Sequence, residues 1–188
     1  QVLNIPPEQF SRLWLATSEQ RWTGAFASIE ENIEHICRAM SIQPDPESIA
    51  RAARLRWPVV QLSIQPRPDA IDTLLRLRSL GCRTGLISDC SFEVAEYWPR
   101  TPFAGLIEEP VFSCRAGIKK PDARIYHLAC RRLGVLPQQC IYVGDGGSRE
   151  LSGAQAVGMT PVQILVPEEI RDAHRVDAEH WQGLRIQR

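Results

Sequence analysis

Apolar residues recur at helical spacing through the first third of the chain, then give way to short apolar runs alternating with amphipathic stretches. From Pro7 to Trp22 the positions Phe10, Leu13, Trp14 and Thr17 lie three or four apart, and Thr23-Gly24 closes the run, which predicts one helix. Ser28 with Glu31 three residues on is a capping box, opening a second helix through Met40 on the stripe Ile29, Ile33, Ile36, Cys37 and Met40. Asp45, Pro46 and Glu47 start a third, carrying Ile49, Ala52, Ala53 and Leu55, which Pro58 is expected to interrupt by removing a backbone donor. Short loops place these helices antiparallel. Gln65-Pro66-Arg67-Pro68 then reads as a stiff connector, so we expect a helical lobe over residues 1–64 and a second domain over 65–188.

From Pro68 onward helix and strand alternate. Asp69 to Leu80 is amphipathic and ends at Gly81. The strand-like runs are Arg83 to Ser88, Glu109 to Cys114, Ile141 to Gly144 and Thr160 to Val166. Helices are expected at Ser91 to Trp98, Asp122 to Leu133 and Leu151 to Met159, and Glu168 to Arg188, with His174, His180 and Trp181, reads as a charged terminal helix. This alternation predicts an α/β fold, a doubly wound parallel sheet with a Rossmann-like core, preceded by a small helical-bundle cap.

With 188 residues, 44% hydrophobic and 23% charged, the chain suffices for one core and a satellite lobe. Lys plus Arg and Asp plus Glu number 22 each, which leaves no global field for nucleic acid or anionic lipid; any bound anion must be held by local groups. No apolar run approaches the roughly 20 residues of a membrane span, and no signal segment opens the chain. The six cysteines (Cys37, Cys82, Cys90, Cys114, Cys130, Cys140) form no CxxC pair and sit in apolar segments, so buried thiols in a reducing, cytoplasmic setting are expected.

Three stretches place polar side chains just beyond strand ends: Ser88-Asp89-Cys90-Ser91, Lys119-Lys120-Pro121-Asp122, and Asp145 to Glu150. Singly each has a plain reading, as a strand-end serine, a solvated lysine pair, and a glycine-rich turn running into a helix-start acid. Together, at the carboxyl ends of parallel strands, they suit phosphate. Hydroxyl and backbone N–H groups hold phosphoryl oxygens, an ammonium offsets charge, and a carboxylate holds a hard cation such as Mg²⁺.

The ordered set Leu-Ile-Ser88-Asp, Gly-Ile-Lys-Lys120-Pro-Asp and Val-Gly-Asp145-Gly-Gly-Ser-Arg-Glu150 resembles motifs two, three and four of the haloacid dehalogenase-like hydrolase superfamily. The likeness covers roughly residues 64 to 166, and the helical lobe resembles the cap of one subgroup. It implies that Ser88 binds the transferring phosphoryl group, with Asp89 and Cys90 in the same substrate-binding loop. It also implies that Lys120 bridges that group to the nucleophile, that Asp145 binds Mg²⁺, and that Glu150 supports the metal shell. Asp89 stands where the family usually has Asn, and Glu150 where Asp is more usual.

The family's first motif, an aspartate nucleophile on a central strand, has no counterpart before Pro6, and no Asp occurs before Asp45. The expectation is therefore a longer polypeptide, with something on the order of 20 further residues supplying that strand between those ending at Ser88 and Asp145. A carboxylate attacking a phosphate dianion within about 4 Å meets roughly 4 kcal/mol of repulsion, which Lys120 and a divalent cation would cancel. The implied activity is a Mg²⁺-dependent phosphatase acting on a small phosphorylated metabolite through an aspartyl phosphate. The alternatives are a metal-independent 2-haloacid dehalogenase and a non-catalytic binding protein retaining the fold. Trp14, Trp22 and Trp57 read as packing residues of the cap. Arg12, Arg21, Trp14, Trp22 and His35 are candidates for substrate choice.

Overall fold

The computed structural model describes residues 2–165 and 180–187. Its first third is helical: α1 (Pro7–Ala16), α2 (Ser18–Trp22), α3 (Ile29–Ala39), α4 (Pro46–Arg54) and α5 (Arg56–Ser63). Ile29, Ile33, Cys37, Ile49 and Ala53 form the buried centre of this lobe, with Phe10 and Trp14 packed against it. The helix expected over Pro7 to Trp22 is broken at Thr17. The Thr17 hydroxyl is not part of an apolar stripe: it bonds back to the Leu13 carbonyl (3.1 Å) and accepts from Arg21 (2.7 Å) and Asn32 (3.2 Å). Polar bonding of this kind competes with the regular helix ladder. The Ser28 cap is present, its hydroxyl accepting from Glu31 N–H at 3.2 Å, but Glu31 returns to Ala27 N–H at 2.7 Å instead of to the cap residue itself.

Pro58 does not interrupt a helix. The break lies at Leu55, between α4 and α5, and Pro58 is the third residue of α5. There a missing N–H costs nothing, because the first-turn amides have no partner inside the helix.

Beyond the connector come α6 (Ala70–Ser79), β1 (Gly85–Ser88), α7 (Phe92–Tyr97), β2 (Glu109–Phe112), α8 (Ser113–Ala116), α9 (Ala123–Leu133), β3 (Ile141–Gly144), α10 (Glu150–Ala156), β4 (Thr160–Leu165) and β5 (Leu184–Gln187). Among the described residues all strand pairing is parallel, as the helix–strand alternation predicts. Two details differ from the sequence reading. Ser113 and Cys114 belong to the helical turn α8, not to a strand. Leu184–Gln187 is an edge strand against β4, not part of a terminal helix, and Trp181 is buried beside it. A helix expectation fails there because cross-strand pairing with β4, remote in sequence, overrides local charge patterning. The last strand, expected to reach Val166, is described to Leu165; Val166, His174 and the rest of the expected helix before His180 lie outside the described residues.

The strands form two sheets, β1–β2 and β3–β4–β5, with no pairing between β1 and β3 among the described residues. One face spans both. α9 buries Ile125, Tyr126, Ala129, Cys130 and Leu133, and the first four gather Val111 of β2, Ile87 of β1, Tyr142 of β3 and Ala154 of α10 into one core. On the opposite face Ile141 and Val143 of β3 are exposed, and α6 has no buried residue. Five of the six cysteines are buried or half-buried free thiols; Cys82 is exposed, contrary to expectation.

Candidate active site

The polar residues singled out in the sequence stand at the carboxyl ends of β1 and β3, with Lys120 between them. Ser88 is the last residue of β1, and Asp89 and Cys90 follow it. Gly144 is the last of β3, and Asp145 opens the loop that leads into α10. Lys120 joins the two sides. Its backbone N–H donates to Asp89 Oδ1 at 3.0 Å, and its Nζ donates to Glu150 Oε2 at 2.6 Å.

The adjacent lysines part company. Lys120 and Glu150 have side chains only 11% and 7% exposed, a pair inside the core. Lys119 leaves toward the helical lobe, pairing with Glu19 at 3.1 Å and lying 5.7 Å from the Trp22 ring. An ammonium has three donors, so the bond to Glu150 leaves Lys120 capacity for a phosphoryl oxygen.

Glu150 is held by three groups. Oε2 accepts from Lys120 Nζ and from Tyr142 OH at 2.9 Å, and Oε1 accepts from Gly146 N–H at 3.1 Å. Space for this carboxylate exists because residue 144 is glycine: a Cβ there would lie 2.6 Å from Glu150 Cδ. Burial pushes the Tyr142 phenol well above its ordinary range, the Glu150 carboxylate adding to the effect, so it stays a donor. Tyr126 OH donates to the Glu150 backbone carbonyl at 3.0 Å, anchoring the start of α10.

Asp145 sits on the turn Gly144-Asp145-Gly146-Gly147, where Gly146 has φ +94°, open to glycine and strained for other residues. Its Oδ1 accepts from Gly147 N–H at 3.0 Å. Buried Gln163 of β4 reaches its backbone carbonyl at 3.5 Å. Asp89 uses Oδ1 for Lys120, while its buried Oδ2 has no hydrogen-bond partner. The carboxylates of Asp89 and Glu150 flank Lys120, and Asp145 adds a further hard oxygen donor of the kind that suits Mg²⁺. No group of three or more His, Cys, Asp or Glu side chains placed to hold a metal occurs among the described residues. Asp145 and Asp89, whose Oδ2 has no hydrogen-bond partner, are the residues that could hold a hard cation.

Ser88, Asp89 and Cys90 also line a cavity of about 480 Å³ walled by Leu74, Leu86, Trp98 and Phe112; Lys120, Asp145 and Glu150 are not on its wall. The Cys90 thiol is pushed up by its hydrogen bond to Cys114 and by burial, which keeps it protonated. Sequence reading missed Tyr142, Gly144 and Tyr126. The first two carried one available signal: in a strand they fall on the same face, two residues apart, just ahead of the acidic loop.

The model of the haloacid dehalogenase-like hydrolase family matches residues 9–158. The chain belongs to that family. Its match to the family begins in the helical lobe and runs through the loop of Asp145 and Glu150. Among curated relatives it is 32% identical over 132 residues to a glyceraldehyde 3-phosphate phosphatase of Methanopyrus kandleri, covering 69% of this chain and 56% of that protein. It is 34% identical over 99 residues to (S)-2-haloacid dehalogenase 4A of Burkholderia cepacia, covering 50% and 41%. The chain thus spans about half the length of the curated relatives it matches. A family enzyme of Bacteroides thetaiotaomicron, crystallised with magnesium and inorganic phosphate, superposes with TM-score 0.63 at 16% identity, covering 86% of each chain. A dehalogenase crystal structure gives TM-score 0.61 at 23% identity, covering 96% of this chain and 79% of that one. At these identities the two structures establish the shared α/β fold. No helix of the described residues is long and apolar enough to cross a membrane.

Proposed function

We propose that this chain is the greater part of a phosphatase that hydrolyses a small phosphorylated metabolite with Mg²⁺. The observation that carries the reading is Lys120, fixed by its backbone to Asp89 and by its ammonium to Glu150, so that one cation stands between the ends of β1 and β3. In this reading residues 1–64 are the cap and 65–188 the catalytic domain. Ser88 and the loop amides bind the phosphoryl oxygens, with Asp89 and Cys90 shaping that loop. Lys120 offsets charge as a carboxylate approaches the phosphorus. Asp145 holds Mg²⁺, and Glu150 supports the metal shell through the loop it anchors. When bound, the ion would neutralise phosphate charge.

The acceptor carboxylate is proposed to be an aspartate on a strand lying between β1 and β3, where neither strand has a partner on its facing side among the described residues. Phosphorus–oxygen bond formation to that aspartate expels the alcohol, and water then cleaves the aspartyl phosphate to inorganic phosphate. The name of the Methanopyrus relative supports a phosphorylated triose as a first substrate to try.

The test uses the polypeptide bearing that strand. We expect Mg²⁺-dependent phosphate release from a panel that includes glyceraldehyde 3-phosphate, loss of turnover on chelation, and loss in Asp145→Asn. Turnover unchanged in Asp145→Asn would overturn the assignment. The relatives named as haloacid dehalogenases support a second reading, displacement of halide from a 2-haloacid. Halide release that persists in EDTA, with no phosphate release, would select it. Absence of both activities would favour a binding role for the retained fold.

A further inference from the structure

Two thiols meet at the end of β3 away from Asp145. Cys130 lies in the last turn of α9 and Cys140 is the residue before β3, yet their sulfurs stand 3.9 Å apart. The turn Pro137–Gln139 brings them together, with Cys140 N–H donating to the Pro137 carbonyl at 2.9 Å. Cys140 Sγ donates to the Leu136 carbonyl at 3.3 Å, and a thiol has one hydrogen, so in the sulfur–sulfur contact Cys130 is the donor. Cys130 is 3% exposed and belongs to the core around Ile125 and Tyr126, whereas Cys140 is half-buried at the edge of that core. Burial, the neighbouring Cys140 and the hydrogen bond to it push the Cys130 thiol up to about 11, so it keeps its proton. Cys140 is therefore the sulfur that a reagent reaches first, and Cys130 is in place to displace that reagent. Bonded sulfurs stand about 2 Å apart, and rotation of two side chains already in contact brings these toward that distance.

We propose that Cys130 and Cys140 form a thiol–disulfide site, closed by small disulfides of the oxidised glutathione class and reopened by thiols, that staples α9 to the start of β3. Cys140 as thiolate attacks the reagent; the reagent's S–S bond breaks, a mixed disulfide forms on Cys140, and one glutathione leaves. Cys130 then gives up its proton to water and attacks the Cys140 sulfur, forming the Cys130–Cys140 bond and expelling the second glutathione. Two protein thiols are oxidised and one glutathione disulfide is reduced to two thiols. In a reducing setting the pair stays open. Neither sulfur belongs to the phosphoryl site, so the proposal does not rest on the phosphatase reading.

The test treats the chain with excess oxidised glutathione, with exposed Cys82 replaced (Cys82→Ser) so that its own adduct does not enter the mass. We expect a mass lower by two hydrogens, a peptide map that joins Cys130 to Cys140, and recovery of both thiols in dithiothreitol. The bond restricts the unfolded chain, so the thermal midpoint of the closed form should lie at least about 3 °C above that of the open form. In the same background Cys130→Ser should stop at one glutathione on Cys140, and Cys140→Ser should leave Cys130 unmodified. Cys130 and Cys140 both alkylated by iodoacetamide in urea after the treatment, a disulfide mapped to Cys90 and Cys114 in place of this pair, or equal midpoints for the two forms would each overturn the proposal. If Cys130→Ser does not fold, the peptide map and the midpoints of the Cys82→Ser chain decide.

Discussion

Gly144 shows how much of the site depends on a missing side chain. Its lack of a Cβ lets the Glu150 carboxylate fold back under the end of β3, where Tyr142, Gly146 and Lys120 hold it. Gly144→Ala is expected to displace that carboxylate, break at least one of the three bonds and destabilise the fold by about 1–3 kcal/mol. A urea unfolding midpoint unchanged from wild type would contradict this. The adjacent lysines differ at the same scale: Lys120, which directly precedes Pro121, is buried against Glu150, whereas Lys119 reaches the lobe and pairs with Glu19. Arg21, a candidate for substrate choice, proves to be 8% exposed and committed to internal bonds.

At the scale of elements, local chemistry decides where helices start and stop. Asp45 caps α4, accepting from Ser48 N–H at 2.9 Å and Ser48 Oγ at 2.8 Å, and these bonds hold its carboxyl below the usual aspartate range. A folded value depressed below the unfolded one, about 3.9, means stabilisation that is full above that pH and lost as pH falls through the folded value. Asp45→Ala should therefore lower the unfolding midpoint at pH 7, and the deficit should shrink as the pH drops below about 4. Urea titrations at pH 7 and pH 3 check this, and an equal deficit at both would argue against the cap. Pro58 and Thr17 carry the opposite lesson. Hydrophobic spacing ran straight through Thr17 and a break was expected at Pro58, yet the chain breaks at Thr17 and Leu55.

Across the whole molecule, one face is complete and the other is not. α9 and the core around Tyr126 tie both sheets together, while Ile141 and Val143 expose 71% and 53% of their surface on the far side of β3. An apolar strand face of this kind promotes association between chains. In this chain Val143→Lys should raise the monomer fraction in sedimentation experiments, and association unchanged by the substitution would place the contact elsewhere. Among the described residues β1 and β3 each also leave one edge unpaired, and all-parallel sheets occur almost only with both faces covered.

Sequence alone determined the helical lobe, the helix–strand alternation, the parallel pairing it implies, and the residues at the strand ends. Periodicity and glycine or proline stops are local properties, and the motif around Ser88, Lys120 and Asp145 is written in consecutive residues. Tertiary structure decided what depends on residues far apart in the chain. It brought Lys120 between Asp89 and Glu150, some thirty positions away on either side, and paired Leu184–Gln187 with β4. It set Arg56 of the lobe against buried Glu93 of α7, and left β1 and β3 without pairing to each other among the described residues. These are contacts whose energy comes from burial and charge at a distance, which no local pattern encodes.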